Sequence, residues 1–289
     1  MQISEAFALY REAEIVAAGL SAKTYESYIY AEKHAVKFFG NSPINRVTPM
    51  QVRDYYKYLL TWQRPDTARG NIVCLRSVIK LCQKHTKMRI TPEDIKVPKR
   101  EKRVTKCLDE EQVAEFIEIL AEHRRGYAKV NRLRNVAMAE VLYSSGIRVS
   151  ELCRLNRNSI RHRQFVVIGK SKNPRVCFIS PQAEQHLNDY LATRTDTNPA
   201  LFIANETGER VKTGGVRRVF RQACGRSDFE GIHPHTMRHS FATTLLSKGV
   251  DITYIADMMG HTSIETTRMY QHFENPKLRE IHEKCFSER

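Results

Sequence analysis

Apolar residues in the first hundred positions recur at helical rather than alternating spacing. Between 22 and 39, Tyr25, Tyr28, Ala31, Ala35 and Phe38 fall on one helical face, while Lys23, Lys33 and Lys37 fall outside it. That separation predicts an amphipathic helix, started by Ser21 and buried along its apolar stripe. Three more helices are expected in the same stretch. Ser4 reads as the cap of one reaching about Ala18, Thr48-Pro49 as the start of one reaching Trp62, and Asp66 as the cap of one from about Thr67 to His85.

The rhythm then stops. Pro92 and Pro98 bracket a stretch that leads into Lys99-Arg100-Glu101-Lys102-Arg103-Val104-Thr105-Lys106, where five of eight residues are basic and no apolar period survives. This reads as a linker over 98–107. Helical spacing resumes behind Asp109, with Glu110 and Glu111 suited to a helix N-terminus, and continues to about Ser144. Two β-branched runs, Phe165–Gly169 and Arg175–Ile179, flank Lys170 to Pro174 and predict a hairpin. Leu201-Phe202-Ile203 is a candidate strand. The rest is helical, closing with a helix from Pro276 whose Leu278, Ile281 and Cys285 share a face. The expected fold is mainly α with a small antiparallel β element, in two domains over 1–97 and 108–275, with a tail over 276–289.

Charge narrows the partner. Lys and Arg number 47 against 32 Asp and Glu. The excess is +10 over residues 1–106 (20 basic, 10 acidic) and +5 over 107–289 (27 basic, 22 acidic). Such a field suits a polyanion. An anionic membrane surface fits less well, because no long amphipathic segment carries a continuous basic face. The seven cysteines are scattered without a CxxC pair, which argues against a disulfide framework and a structural zinc site. No apolar run approaches the roughly 18 residues of a membrane span. Met1-Gln2-Ile3-Ser4-Glu5 leads into an amphipathic segment rather than a secretory signal, so a cytoplasmic protein is expected.

The densest chemistry lies in the last quarter. His235-Thr236-Met237-Arg238 is followed by Gly260-His261 and, nine residues on, by Tyr270. On a helix, His235 and Arg238 project from the same face. Upstream, Ser145-Gly146-Ile147-Arg148-Val149-Ser150-Glu151-Leu152 offers a second Arg, and Gly169-Lys170-Ser171-Lys172 a candidate acid. Breaking a phosphodiester without a metal needs cations for the developing charge, a nucleophile, and a proton for the leaving oxygen. Arg meets the first need, since its planar fork bonds two non-bridging oxygens while staying charged. A Tyr phenol titrates near ~10 and attacks at neutral pH only beside a base and positive charge.

Arg148, Lys170, His235, Arg238, His261 and Tyr270, in that chain order, resemble the catalytic set of the tyrosine site-specific recombinases, the Xer and phage-integrase family. The resemblance covers nearly the whole chain. It implies a two-domain DNA clamp, with a helical core-binding domain over 1–97 and an integrase-type catalytic domain over 108–275. Tyr270 would be the nucleophile, forming a 3′-phosphotyrosyl link without metal, ATP or other cofactor. Arg148, Arg238 and His261 would hold the phosphate, His235 would take the phenol proton, and Lys170 would protonate the departing 5′ oxygen. Lys172 is the rival for Lys170, and His233 for His235, although only His235 has an Arg three residues later. Glu151 would orient Arg148, or serve as a helix-start partner. Lys99, Arg100, Lys102, Arg103 and Lys172 are expected on the DNA backbone. The implied partners are duplex DNA and a tetramer, of this chain alone or with a paralogue, in which tails dock on neighbouring protomers or on their own. Chromosome-dimer resolution and mobile-element integration both remain open. A type IB topoisomerase-like nicking-closing enzyme and an inactive DNA-binding homologue are the competing readings.

Thr262-Ser263-Ile264-Glu265 reads as a capping box directly after His261. A straight helix over 263–270 would leave the His261 and Tyr270 Cα atoms ~13 Å apart. A break before Tyr270, or a Tyr withdrawn until assembly, is therefore expected.

Overall fold

Short polar side chains set where the first helices begin. The computed structural model describes residues 1–99, 106–122, 128–169, 173–260 and 276–286. It divides into two compact units, Met1–Arg103 and Val104–Arg289. The first holds α1 (Ile3–Tyr10), α2 (Ala22–Phe39), α3 (Pro49–Leu60) and α4 (Pro65–Cys82). Ser21 caps α2 by accepting the Thr24 N–H at 3.3 Å, and Thr48 and Gln51 form a reciprocal box at the start of α3.

Two expected caps are not caps. The Ser4 N–H donates to Asn41 Oδ1 at 2.9 Å, and α1 starts at Ile3, where the Glu5 carboxylate accepts the Gln2 N–H at 2.8 Å. Beyond Tyr10 the backbone widens to a π-helix over Arg11–Val16, in which Arg11 pairs with Glu32 and Ile15 is buried. Asp66 sits inside α4, because Pro65 takes the first helical position, where its missing N–H leaves no bond unmade. Ile3, Phe7, Ala31, Tyr55, Leu59, Ile72, Leu75 and Ile79 close the core of this unit.

The second unit is assembled around one helix. Its elements are α5 (Glu110–Ala121), α6 (Lys129–Ser145), α7 (Val149–Leu152), β1 (Gln164–Ile168), β2 (Pro174–Phe178), α8 (Pro181–Leu191), α9 (Thr213–Cys224), α10 (Pro234–Ser247), α11 (Ile252–Met259) and α12 (Pro276–Phe286). Asp109 caps α5, accepting the Gln112 N–H at 2.8 Å. The single helical run expected from Asp109 to Ser144 is two helices, the first ending at Ala121. Every residue of α6 from Arg134 to Ser145 is buried, and α5, α8 and α10 pack around it. A helix enclosed on all sides is the core element of its domain.

β1 and β2 pair antiparallel, Phe165 opposite Cys177 and Val167 opposite Arg175. Phe165 and Val167 face inward, while Val166 and Ile168 face solvent. Leu201-Phe202-Ile203 is not a strand. Arg194 Nη1 takes the carbonyls of Ala200 and Leu201 at 3.2 and 3.1 Å, and only a lone bridge between Ile203 and Arg210 remains. Among the described residues, no helix is long and apolar enough to cross a membrane.

Candidate active site

The site begins where α6 stops. Gly146 adopts φ 62°, a left-handed conformation that an L side chain rarely takes, and a Cβ there would collide with the Phe241 ring of α10. The chain reverses at this glycine and delivers Arg148 to the N-cap of α7. Glu151, one turn later and 4% exposed, accepts the Arg148 backbone N–H at 2.8 Å and its Nη1 at 3.1 Å. Glu151 thus caps the helix and grips the guanidinium at once.

α10 supplies Arg238. Its side chain is buried and donates to two carbonyls, Gly146 at 2.5 Å through Nη1 and Met259 at 2.5 Å through Nη2. These bonds join the turn before Arg148 to the end of α11, the residues just ahead of Gly260-His261. Burial, with Arg148 and Arg175 adding like-charge repulsion, pushes the Arg238 pKa down to about 10. It remains charged at neutral pH. His235, on the same helix, is exposed. Partial desolvation, then the neighbouring His233, Arg217, Arg238 and His239, lower its pKa, so its ring is neutral and able to accept a proton near pH 7. His233 is the N-cap of α10, its Nδ1 accepting the Thr236 N–H at 3.2 Å, which gives the rival histidine a structural task.

A third guanidinium completes the cluster. Arg175 of β2, with its side chain 10% exposed, donates through Nη1 and Nη2 to the two Glu151 oxygens at 3.1 and 2.7 Å. Burial alone would raise the Glu151 pKa, but Arg175 and Arg148 outweigh it and hold the carboxyl below its usual range. Among the described residues, Arg148 and Arg175 therefore share the Glu151 carboxylate, whose charge also acts on Arg238 without a direct bond. A cluster with that excess of positive charge is suited to an anion.

The structure brings Arg148, Glu151 and Arg238 together, with His235 on the same helix as Arg238. Lys99 is exposed in the first unit. Lys170, Lys172, His261 and Tyr270, the basic Arg100, Lys102 and Arg103, the Thr262–Glu265 capping box and the helix break sought before Tyr270 lie outside the described residues. Sequence reasoning passed over Arg175. The available signal was strand alternation, since Arg175 pairs with the inward-facing Val167 and so had to enter the interior.

The phage integrase family matches residues 106–276. Tyrosine recombinase XerA of Pyrococcus horikoshii is 30% identical over 290 residues, spanning 98% of this chain and 93% of the relative. Tyrosine recombinase XerC of Leptospira interrogans is 29% identical over 265 residues, 89% of this chain and 82% of the relative. Among solved structures, the Tn1549 transposon integrase in complex with circular intermediate DNA superposes with a TM-score of 0.75 at 16% identity, covering 95% of this chain and 96% of that one. A lambda integrase dimer bound to a core site gives 0.73 at 16% identity, covering 91% and 96%. At that identity the likeness is one of fold. Fold and relatives together define a DNA recombinase of the tyrosine class. The chain belongs to the phage integrase family.

Proposed function

We propose that this recombinase binds duplex DNA and cuts and reseals its strands through a 3′-phosphotyrosyl link to Tyr270, with neither metal nor ATP. The observation that carries the reading is the guanidinium cluster, in which Glu151 fixes a partly exposed Arg148 and two backbone carbonyls fix the buried Arg238. The Tyr270 Oη attacks phosphorus and the bond to the 5′ oxygen breaks. The phenol proton passes to His235, and Lys170 delivers a proton to the departing oxygen. Resealing runs the same steps backwards, so the bond energy is conserved. Arg148, Arg238 and His261 neutralise the equatorial oxygens in the transition state. Lys99, Arg100, Lys102, Arg103 and Lys172 lie along the DNA backbone. The active form is a tetramer on two sites, alone or with a paralogue, in the cytoplasm, with tails 276–289 exchanged between protomers. It serves Xer-like resolution or the integration and excision of a mobile element.

The test is a nicked suicide duplex carrying the sequence this protein protects from nuclease. In EDTA it traps a covalent adduct that peptide mapping places on Tyr270, and Tyr270→Phe binds the duplex but forms none. An adduct on another tyrosine, or a requirement for divalent metal, overturns the reading.

A further inference from the structure

Arg175 uses each edge of its guanidinium on a different element. Nη1 and Nη2 hold the Glu151 carboxylate of α7, and Nε donates to the Met258 carbonyl at 3.0 Å, in the last turn of α11. With its side chain 10% exposed and these donors engaged, Arg175 is not free to take an outside anion. Arg148 differs, being 28% exposed and giving a single side-chain bond to Glu151. The surroundings are shaped to this residue. Gly260 stands at φ 64°, and a Cβ there would lie 2.9 Å from Arg175 Cδ and 3.2 Å from Nε. A Cβ at Gly169, the residue before Lys170, would lie 3.6 Å from Arg175 Nη1, 3.7 Å from Arg148 Nη1 and 3.8 Å from Glu151 Oε1. The backbone leading to Lys170 and the glycine ahead of His261 thus both border the same guanidinium.

We propose that Arg175 is a positioning residue for strand cleavage, locking Glu151, and through it Arg148, while fixing the end of α11 from which the His261 segment departs. The inference rests on the reading of Arg148 and His261 as phosphate ligands. A carboxylate held by one arginine can pivot about that contact. Held bidentately by Arg175, it presents fixed lone pairs to Arg148, whose guanidinium then waits in place for the phosphate. A lysine cannot substitute, because a single ammonium offers no planar fork spanning both oxygens and the Met258 carbonyl.

The experiment measures single-turnover cleavage of the suicide duplex with all DNA bound, so that a smaller folded fraction does not enter the rate. Arg175→Gln should bind the duplex as the parent does and cleave about 10- to 100-fold more slowly. Arg175→Lys keeps the buried charge opposite Glu151, so it serves if the glutamine variant folds poorly, and it too should cleave more slowly with binding intact. In the Glu151→Gln background, Arg175→Gln should add little, because the two residues act as one unit. Parent-like cleavage by Arg175→Gln or Arg175→Lys, or independent additive losses in the double variant, overturns the proposal. Tyr270→Phe and Arg148→Ala run alongside as controls. If either control still forms the adduct, the underlying reading of the site has failed; if both lose it while Arg175 variants do not, the inference alone has failed.

Discussion

Charge buried without full compensation is the dominant fact at the residue scale. Arg148 and Arg175 bond Glu151, and Arg238, given only carbonyl partners among the described residues, is the one whose pKa falls. Such an arrangement is costly in an empty protein and useful once a phosphate arrives. The same positive field acts on His235, and here the consequence can be tested by pH. Partial desolvation and the nearby cations depress its pKa below the ordinary 6.5, so the neutral, proton-accepting ring persists to lower pH than in a free histidine. If His235 takes the phenol proton, the acid limb of cleavage should be centred below the 6.5 of an ordinary histidine. His235→Asn should be slow throughout and lack that acid limb. An acid limb centred above 6.5, or one that survives the substitution, sinks the assignment. Arg148 and Glu151 were legible as a pair because three residues on a helix bring side chains together. Arg175 was not, since its partner lies 24 residues away in sequence and only the folded register joins them.

At the scale of elements, the glycine turn between α6 and α7 matters more than either helix alone. Gly146 ends α6 in a left-handed conformation, packs its Cα against Phe241, and leaves its carbonyl for Arg238. Gly146→Ala should therefore suffer twice, by roughly 1–2 kcal/mol for the left-handed backbone and about 1–3 kcal/mol for overpacking. Gly208 makes the control. It has φ 68° but open space around its Cα, so Gly208→Ala should show the backbone penalty only. Equal losses in denaturant unfolding of the two variants would mean that Phe241 yields freely. Helix starts such as Ser21, Thr48 and Asp109 could be read from sequence, because a cap is a local hydrogen bond. The division of α5 from α6 was overlooked rather than hidden, since Glu122-His123-Arg124-Arg125-Gly126 interrupts the apolar spacing with a polar run ending in glycine. The failed strand at 201–203 was hidden: its Leu201 and Ile203 carbonyls are claimed by Arg194 and Arg134, a decision of tertiary structure.

For the whole molecule, the proposed exchange of tails between protomers would have to undo the seat of α12. In this chain α12 lies on its own second unit, with His282, Cys285 and Phe286 buried. The sequence pattern had singled out Ile281 and Cys285 but not His282, a polar residue that the interior accepts only with a partner. That partner is the Ser144 carbonyl, to which His282 Nε2 donates at 2.7 Å, two residues before Gly146. The ring stacks on Phe286 at 5.0 Å and tilts against Phe178 at 5.6 Å. Lys248 donates to the Cys285 carbonyl, and Arg163 pairs with Glu283 at the rim. Burial drives the His282 pKa down to about 4, with the Ser144 carbonyl and Glu283 opposing and Arg163 assisting. A histidine freed from the groove should titrate near ~6.5, so the undocked tail binds more protons wherever pH lies between the two values. Docking is then at full strength above 6.5 and weakens progressively as pH falls toward 4. NMR of histidine-labelled protein should show His282 still neutral at pH 6, with the amide signals of 276–286 moving to disordered positions as it finally protonates. His282→Phe keeps the stacking, has nothing to protonate, and should hold α12 in place through the same titration. A His282 that titrates at 6.5 while α12 stays docked would show that the groove does not exclude the charge, and that the contact to Ser144 contributes little to holding the tail.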